Sequence, residues 1–142
     1  MRLRKAAGAE SLLSACFAFG LVGFVTLLLA GFTSFLVLVY RTPDVSDARL
    51  LYDLTFGLLA MSGAPTAIAL GSFAALVFRG GDLPRWTAML AALGAAAHVA
   101  LLASFVVTDG FFSLEGQVIT AIPATLFLWI IGTGIAMVVA DP

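Results

Sequence analysis

The chain has 142 residues, 62% apolar and 11% charged, with a net charge of −1 and a mean hydropathy of +1.13. Soluble domains are about 45–50% apolar and about 25% charged. The composition excludes a soluble globular domain, a disordered chain, a disulfide scaffold and an electrostatic nucleic-acid binder. It predicts a single transmembrane domain over residues 1–142.

A bilayer core of about 30 Å needs roughly 17–25 apolar residues per helix. Four stretches qualify, at 11–39, 54–78, 86–107 and 118–139, and none holds Asp, Glu, Lys or Arg. Backbone groups in hydrocarbon must pair within the structure, and the stretches do not alternate as barrel strands do. The expected fold is an all-α integral membrane four-helix bundle.

The first stretch is long, about 43 Å at 1.5 Å per residue. It must tilt, bend or project, and Gly20, Gly23 and Gly31 would permit bending. Arg2, Arg4 and Lys5 ahead of it imitate a signal sequence, and Leu13-Ser-Ala-Cys16 imitates a lipoprotein box. Glu10 interrupts the required apolar core, and the apolar run continues past Cys16. An uncleaved helix with a packed thiol is expected. A single cysteine also excludes an intramolecular disulfide and a dithiol relay.

A polar turn follows at 41–47, with Asp47 or Asp53 as candidate caps for the second helix. The second stretch repeats Gly63, Ala67, Gly71 and Ala75 at four-residue spacing, a pattern for close helix contact. Pro65 removes a donor and crowds the Met61 carbonyl, so a kink is expected there, either a hinge or a static bend. Gly80-Gly-Asp-Leu-Pro84 reads as a tight hairpin with Pro84 in the first turn of the third helix. Arg79, Arg85 and Trp86 are its candidate interfacial anchors.

The third stretch repeats Ala88, Ala92, Ala96 and Ala100. It should form a tight antiparallel pair with the second. Phe111, Phe112 and Leu114 in the next loop suit the headgroup region. The fourth stretch offers Gly132, Ala136 and Ala140.

Orientation follows from the basic residues. Arg2, Arg4, Lys5, Arg79 and Arg85 fall on one side, against Arg41 and Arg49 on the other. The positive-inside rule places both termini in the cytoplasm.

His98 is the one deep ionisable side chain apart from Cys16. Counting along antiparallel neighbours puts it level with Thr66, and Trp129 also near mid-membrane. A polar knot of His98 with Ser62 or Thr66, joined by the Trp129 indole, is the candidate intramembrane site. It has two readings, a proton-handling group or a neutral imidazole that fixes helix register. A bis-histidine haem site lacks its second histidine, and zinc lacks ligands. No phosphate loop, paired intramembrane carboxylates or matched nucleophile and base occur. The sequence therefore predicts no catalytic residues, cofactor or metal, and no enzyme.

The hairpin Arg79-Gly-Gly-Asp-Leu-Pro-Arg-Trp86, with Met61-Ser-Gly-Ala-Pro-Thr-Ala before it, resembles a bacterial, actinobacterial-looking family of multi-pass membrane proteins of uncharacterised function. The resemblance runs from Leu50 to Met137. It implies a bacterial inner-membrane location. It also implies either a short member or a piece of a longer protein with a further helix pair, and it supplies no site residues.

These readings converge on a non-catalytic structural, accessory or assembly component acting through helix contacts. Its expected partners are the bilayer and a homo-oligomer or larger membrane complex, with no nucleic acid. Two alternatives stay open. One is a small oligomeric carrier with a polar site around His98. The other is a lipid- or quinone-binding subunit of a membrane enzyme.

Overall fold

A computed structural model describes residues 9–41, 44–80 and 82–139. Arg2, Arg4, Lys5 and Ala140 lie outside the described residues, so the parts of the orientation and of the small-residue pattern that rest on them are not placed. The described residues are all-helical, in the order α1 (Ala9–Arg41), α2 (Val45–Met61), α3 (Gly63–Phe78), α4 (Arg85–Leu101), a 3-10 turn (Leu102–Phe105) and α5 (Val118–Val139). Four helical stretches are long and apolar enough to cross a membrane: Leu12–Arg41, Val45–Phe78, Arg85–Phe105 and Val118–Val139.

The second stretch begins at Val45, earlier than the expected 54. Asp44, not Asp47 or Asp53, is its cap. The Asp44 carboxylate accepts from the Asp47 N–H at 3.0 Å and from the Ser46 hydroxyl at 2.7 Å. The polar turn is thus shorter than the charges suggested. Asp47, Arg49 and Asp53 are exposed on helical turns, where a solvated face tolerates them.

The interruption of this stretch falls at Ser62, between α2 and α3. The cause lies three residues on. Pro65 has no N–H for the Met61 carbonyl, so the helix restarts at Gly63 and Pro65 occupies the first turn of α3. A missing donor costs nothing there. The third stretch also ends sooner than expected. Its α-helix stops at Leu101 and tightens into the 3-10 turn, and Pro84 stands just before α4 as its N-cap.

Consecutive stretches pack antiparallel. α3 runs between α1 and α4, and α5 covers α4. One core joins Leu70, Phe73, Ala74 and Val77 of α3 to Ala88 and Ala91 of α4 and to Leu126 and Trp129 of α5, with Phe17 and Phe24 of α1 against it. A second core joins Ala60, Leu101, Val118 and Ile122. The outward sides carry Phe19, Leu29, Met89, Leu93, Phe127, Ile131 and Ile135. Helices apolar all round, with their apolar exteriors uncovered, are the pattern of membrane spans rather than of water-facing surfaces.

Glycines set the closest approaches, and the four-residue repeats account for only part of them, through Gly63 and Gly132. A Cβ on Gly20 would stand 2.7 Å from the Pro65 carbonyl oxygen and 2.8 Å from the Ala69 nitrogen. On Gly23 it would meet the Pro65 ring at 2.9 Å. These glycines admit α3 against α1; packing is their role. On α3 only Gly63 makes such an approach, since a Cβ on Gly71 would meet nothing. On α4, Ala88 is buried, but Ala92, Ala96 and Ala100 are exposed. A strict four-residue repeat drifts about 40° per step on a helix of 3.6 residues per turn, so it cannot hold one face. The α4 face that does stay buried runs through Thr87, Ala91, Gly94, His98 and Leu101.

Candidate functional site

The buried face of α4 carries His98 inward at 3% exposure, and Thr66 of α3 is 2% exposed. The level of the two helices is set by glycine contacts. A Cβ on Gly63 would lie 2.7 Å from the His98 carbonyl oxygen, and one on Gly94 would lie 2.9 Å from the end of the Leu70 side chain. Thr66 lies one turn along α3 from that Gly63 contact, so His98, Ser62 and Thr66 occupy one layer of the α3–α4 interface.

They do not bond to one another. The His98 Nδ1 lies 2.8 Å from the Gly94 carbonyl oxygen of its own helix. A carbonyl only accepts, so the proton in this bond is on Nδ1. The Thr66 hydroxyl donates to the Ser62 carbonyl at 2.7 Å, and the Ser62 hydroxyl donates to the Leu59 carbonyl at 2.6 Å. Each polar side chain in the layer satisfies a carbonyl of its own chain segment. The expected interhelical knot is replaced by three local bonds. The reason is local geometry: a hydroxyl or imidazole reaches the carbonyl one turn back at little cost, and Gly63 brings the backbones too close for a side chain between them.

Trp129 is not in this layer. Its ring packs edge-on against Phe73 at 5.0 Å and against Phe17 at 6.5 Å. Thr125 approaches Gly94, and Gly132 approaches Trp86 and Leu90. Trp129 therefore stands nearer the level of Leu90 than of His98, about 12 Å away at 1.5 Å per residue. Counting from the apolar start of each stretch misplaced it, because α5 is staggered along α4.

Pro65 is pressed between Gly20 and Gly23 of α1, a packed position for the candidate hinge. Arg79 and Arg85 are exposed at the two sides of the hairpin, and Gly80 takes a positive φ of 118° there. Trp86 is half-exposed, with its ring edge over Gly132. Phe111 and Phe112 form an exposed edge-to-face pair at 5.1 Å in the α4–α5 connection. Cys16 is a free, half-buried thiol within α1. Among the described residues no group of His, Cys, Asp and Glu could hold a metal ion.

Two features escaped the sequence reading. Gly20 and Gly23 line a helix contact, and their three-residue spacing was the available signal. Thr133 and Ser104 are buried with hydroxyls that have no partner among the described residues, and the Trp129 indole nitrogen is likewise without one. Only the spacing of Thr133 one turn beyond Trp129 hinted at this.

Comparison with known proteins gives no match to a family model, to a curated protein or to a solved structure.

Proposed function

We propose that this chain is a multi-pass bacterial inner-membrane protein whose role is structural or accessory, exercised through helix contacts with a partner or with itself. One observation carries the reading. His98 and Thr66 are buried and bonded to carbonyls of their own chain segments. A carrier site needs polar groups free to bind a solute, and these are committed to the fold. The long outward faces of α1 and α5, with Phe19, Leu29, Phe127 and Ile131 exposed, are the surfaces such a role would use.

The proposed orientation has the α3–α4 hairpin in the cytoplasm. Its support is Arg79 and Arg85 on that turn. Kinship with the actinobacterial-looking family is proposed on the Arg79-Gly-Gly-Asp-Leu-Pro-Arg-Trp86 hairpin and the Met61-Ser-Gly-Ala-Pro-Thr-Ala pattern before it.

The test is complementation of a deletion strain, with folding followed in parallel. His98→Ala should lower thermal stability in detergent, because it removes a buried ring and a hydrogen bond. At normal expression it should still restore growth or envelope phenotypes. Phe19→Ala with Leu29→Ala on the exposed face should leave the fold intact and impair complementation. A His98→Ala protein of wild-type stability that fails to complement would overturn the structural reading and favour the carrier.

A further inference from the structure

The hydroxyls of these helices follow a common habit. Thr26, Thr33, Ser34, Thr55 and Thr66 each donate to the carbonyl four residues back, and Thr125 to the one three back. Thr133 does not. It is 4% exposed and its hydroxyl has no partner among the described residues. One turn earlier on the same face, Trp129 is 7% exposed and its indole nitrogen is also unpartnered.

Residues four apart on a helix are neighbours, about 5–6 Å between Cβ atoms. α5 thus brings two buried donors together on its inward face. An indole N–H can only donate. A buried donor left unpaired costs about 1–3 kcal/mol, and such groups are rarely left so.

The surroundings define what would pair them. The buried polar side chains among the described residues are Ser, Thr and His98, and His98 lies about two turns away by the α4–α5 stagger. Among the described residues no Asp, Glu, Lys or Arg is buried, so an ion held between these donors would go uncompensated. One oxygen with two lone pairs has an acceptor position for each donor.

We propose that the inward face of α5 is a binding site for a neutral oxygen acceptor held between the Trp129 Nε1–H and the Thr133 hydroxyl. Water and a lipid carbonyl share this chemistry. The site is separate from the His98 layer and does not depend on the structural role proposed above.

The chain has two tryptophans, so the experiment is indole nitrogen–proton NMR of the full chain in phospholipid nanodiscs. Trp86→Phe or Trp129→Phe, whichever folds, assigns both resonances. The Trp129 indole proton should lie downfield, as a hydrogen-bonded proton does. It should move on Thr133→Val and stay in place on Thr133→Ser. A cross-peak to water identifies water as the occupant, and one to lipid protons identifies the lipid carbonyl. An upfield resonance, shifted by the Phe73 ring and unmoved by Thr133→Val, would overturn the proposal. It would mean that the indole N–H rests on the aromatic face.

Discussion

The carbonyl oxygen of His98 lies against the α-carbon of Gly63, so close that a Cβ there would sit 2.7 Å from it. This contact fixes the distance between α3 and α4 at the layer that holds Ser62, Thr66 and His98. It also permits a Cα–H to carbonyl contact of the kind common where helices approach closely. The oxygen belongs to the main chain and cannot rotate aside.

Gly63→Ala should therefore destabilise the bundle by about 1–3 kcal/mol, the usual range for overpacking. Gly71→Ala adds the same methyl to the same helix where nothing stands in its way. It should be neutral or stabilise by about 0.5–1 kcal/mol through helix propensity. Thermal unfolding of the two variants in one detergent checks the pair. Equal effects would contradict the packing described.

The same logic applies to α1. Gly20→Ala would drive a methyl into the Pro65 carbonyl and the Ala69 nitrogen. It should lower the melting temperature clearly and loosen α1 from α3. Gly134→Ala on α5 points into open space and serves as the control. Protease sensitivity of α1 in detergent reads the loosening directly.

Asp44 gives a pH prediction outside the membrane-spanning segments. The Asp47 backbone N–H and then the Ser46 hydroxyl hold its carboxylate below the usual carboxylate range. A lowered folded pKa means that the cap is intact above the ordinary carboxylate range. It is lost as pH falls through the lowered value. Asp44→Ala should fray the first turn of α2 at neutral pH, seen as faster amide exchange at Asp47 and Ala48. Asp44→Asn, which still accepts, should keep protection in strong acid longer than the wild type does.

Apolar length and the Pro84 hairpin made the number of helices and their antiparallel order readable from sequence. The span at 118–139 matches α5 end for end. The start of α2 was not readable, because Asp47, Arg49 and Asp53 look like loop and are tolerated on an exposed helical face. The Ser62 break was half-readable: Pro65 named the cause, but the break falls three residues before it. Of the candidate site, the shared level of His98 and Thr66 on neighbouring helices was readable. Their partners were not, because local back-bonding to Gly94 and Ser62 outcompetes contacts across a glycine-tight interface. Trp129 was misplaced because stagger between helices leaves no mark on hydropathy.

Everything proposed about function rests on four helices crossing a membrane with the α3–α4 hairpin in the cytoplasm. Cysteine accessibility in intact cells tests this most directly, in a Cys16→Ser background with a membrane-impermeant maleimide. Asp82→Cys should stay unlabelled until the cells are lysed, and Glu115→Cys should label without lysis. Labelling of Asp82→Cys in intact cells, or recovery of the chain as a monodisperse protein without detergent, would contradict the account.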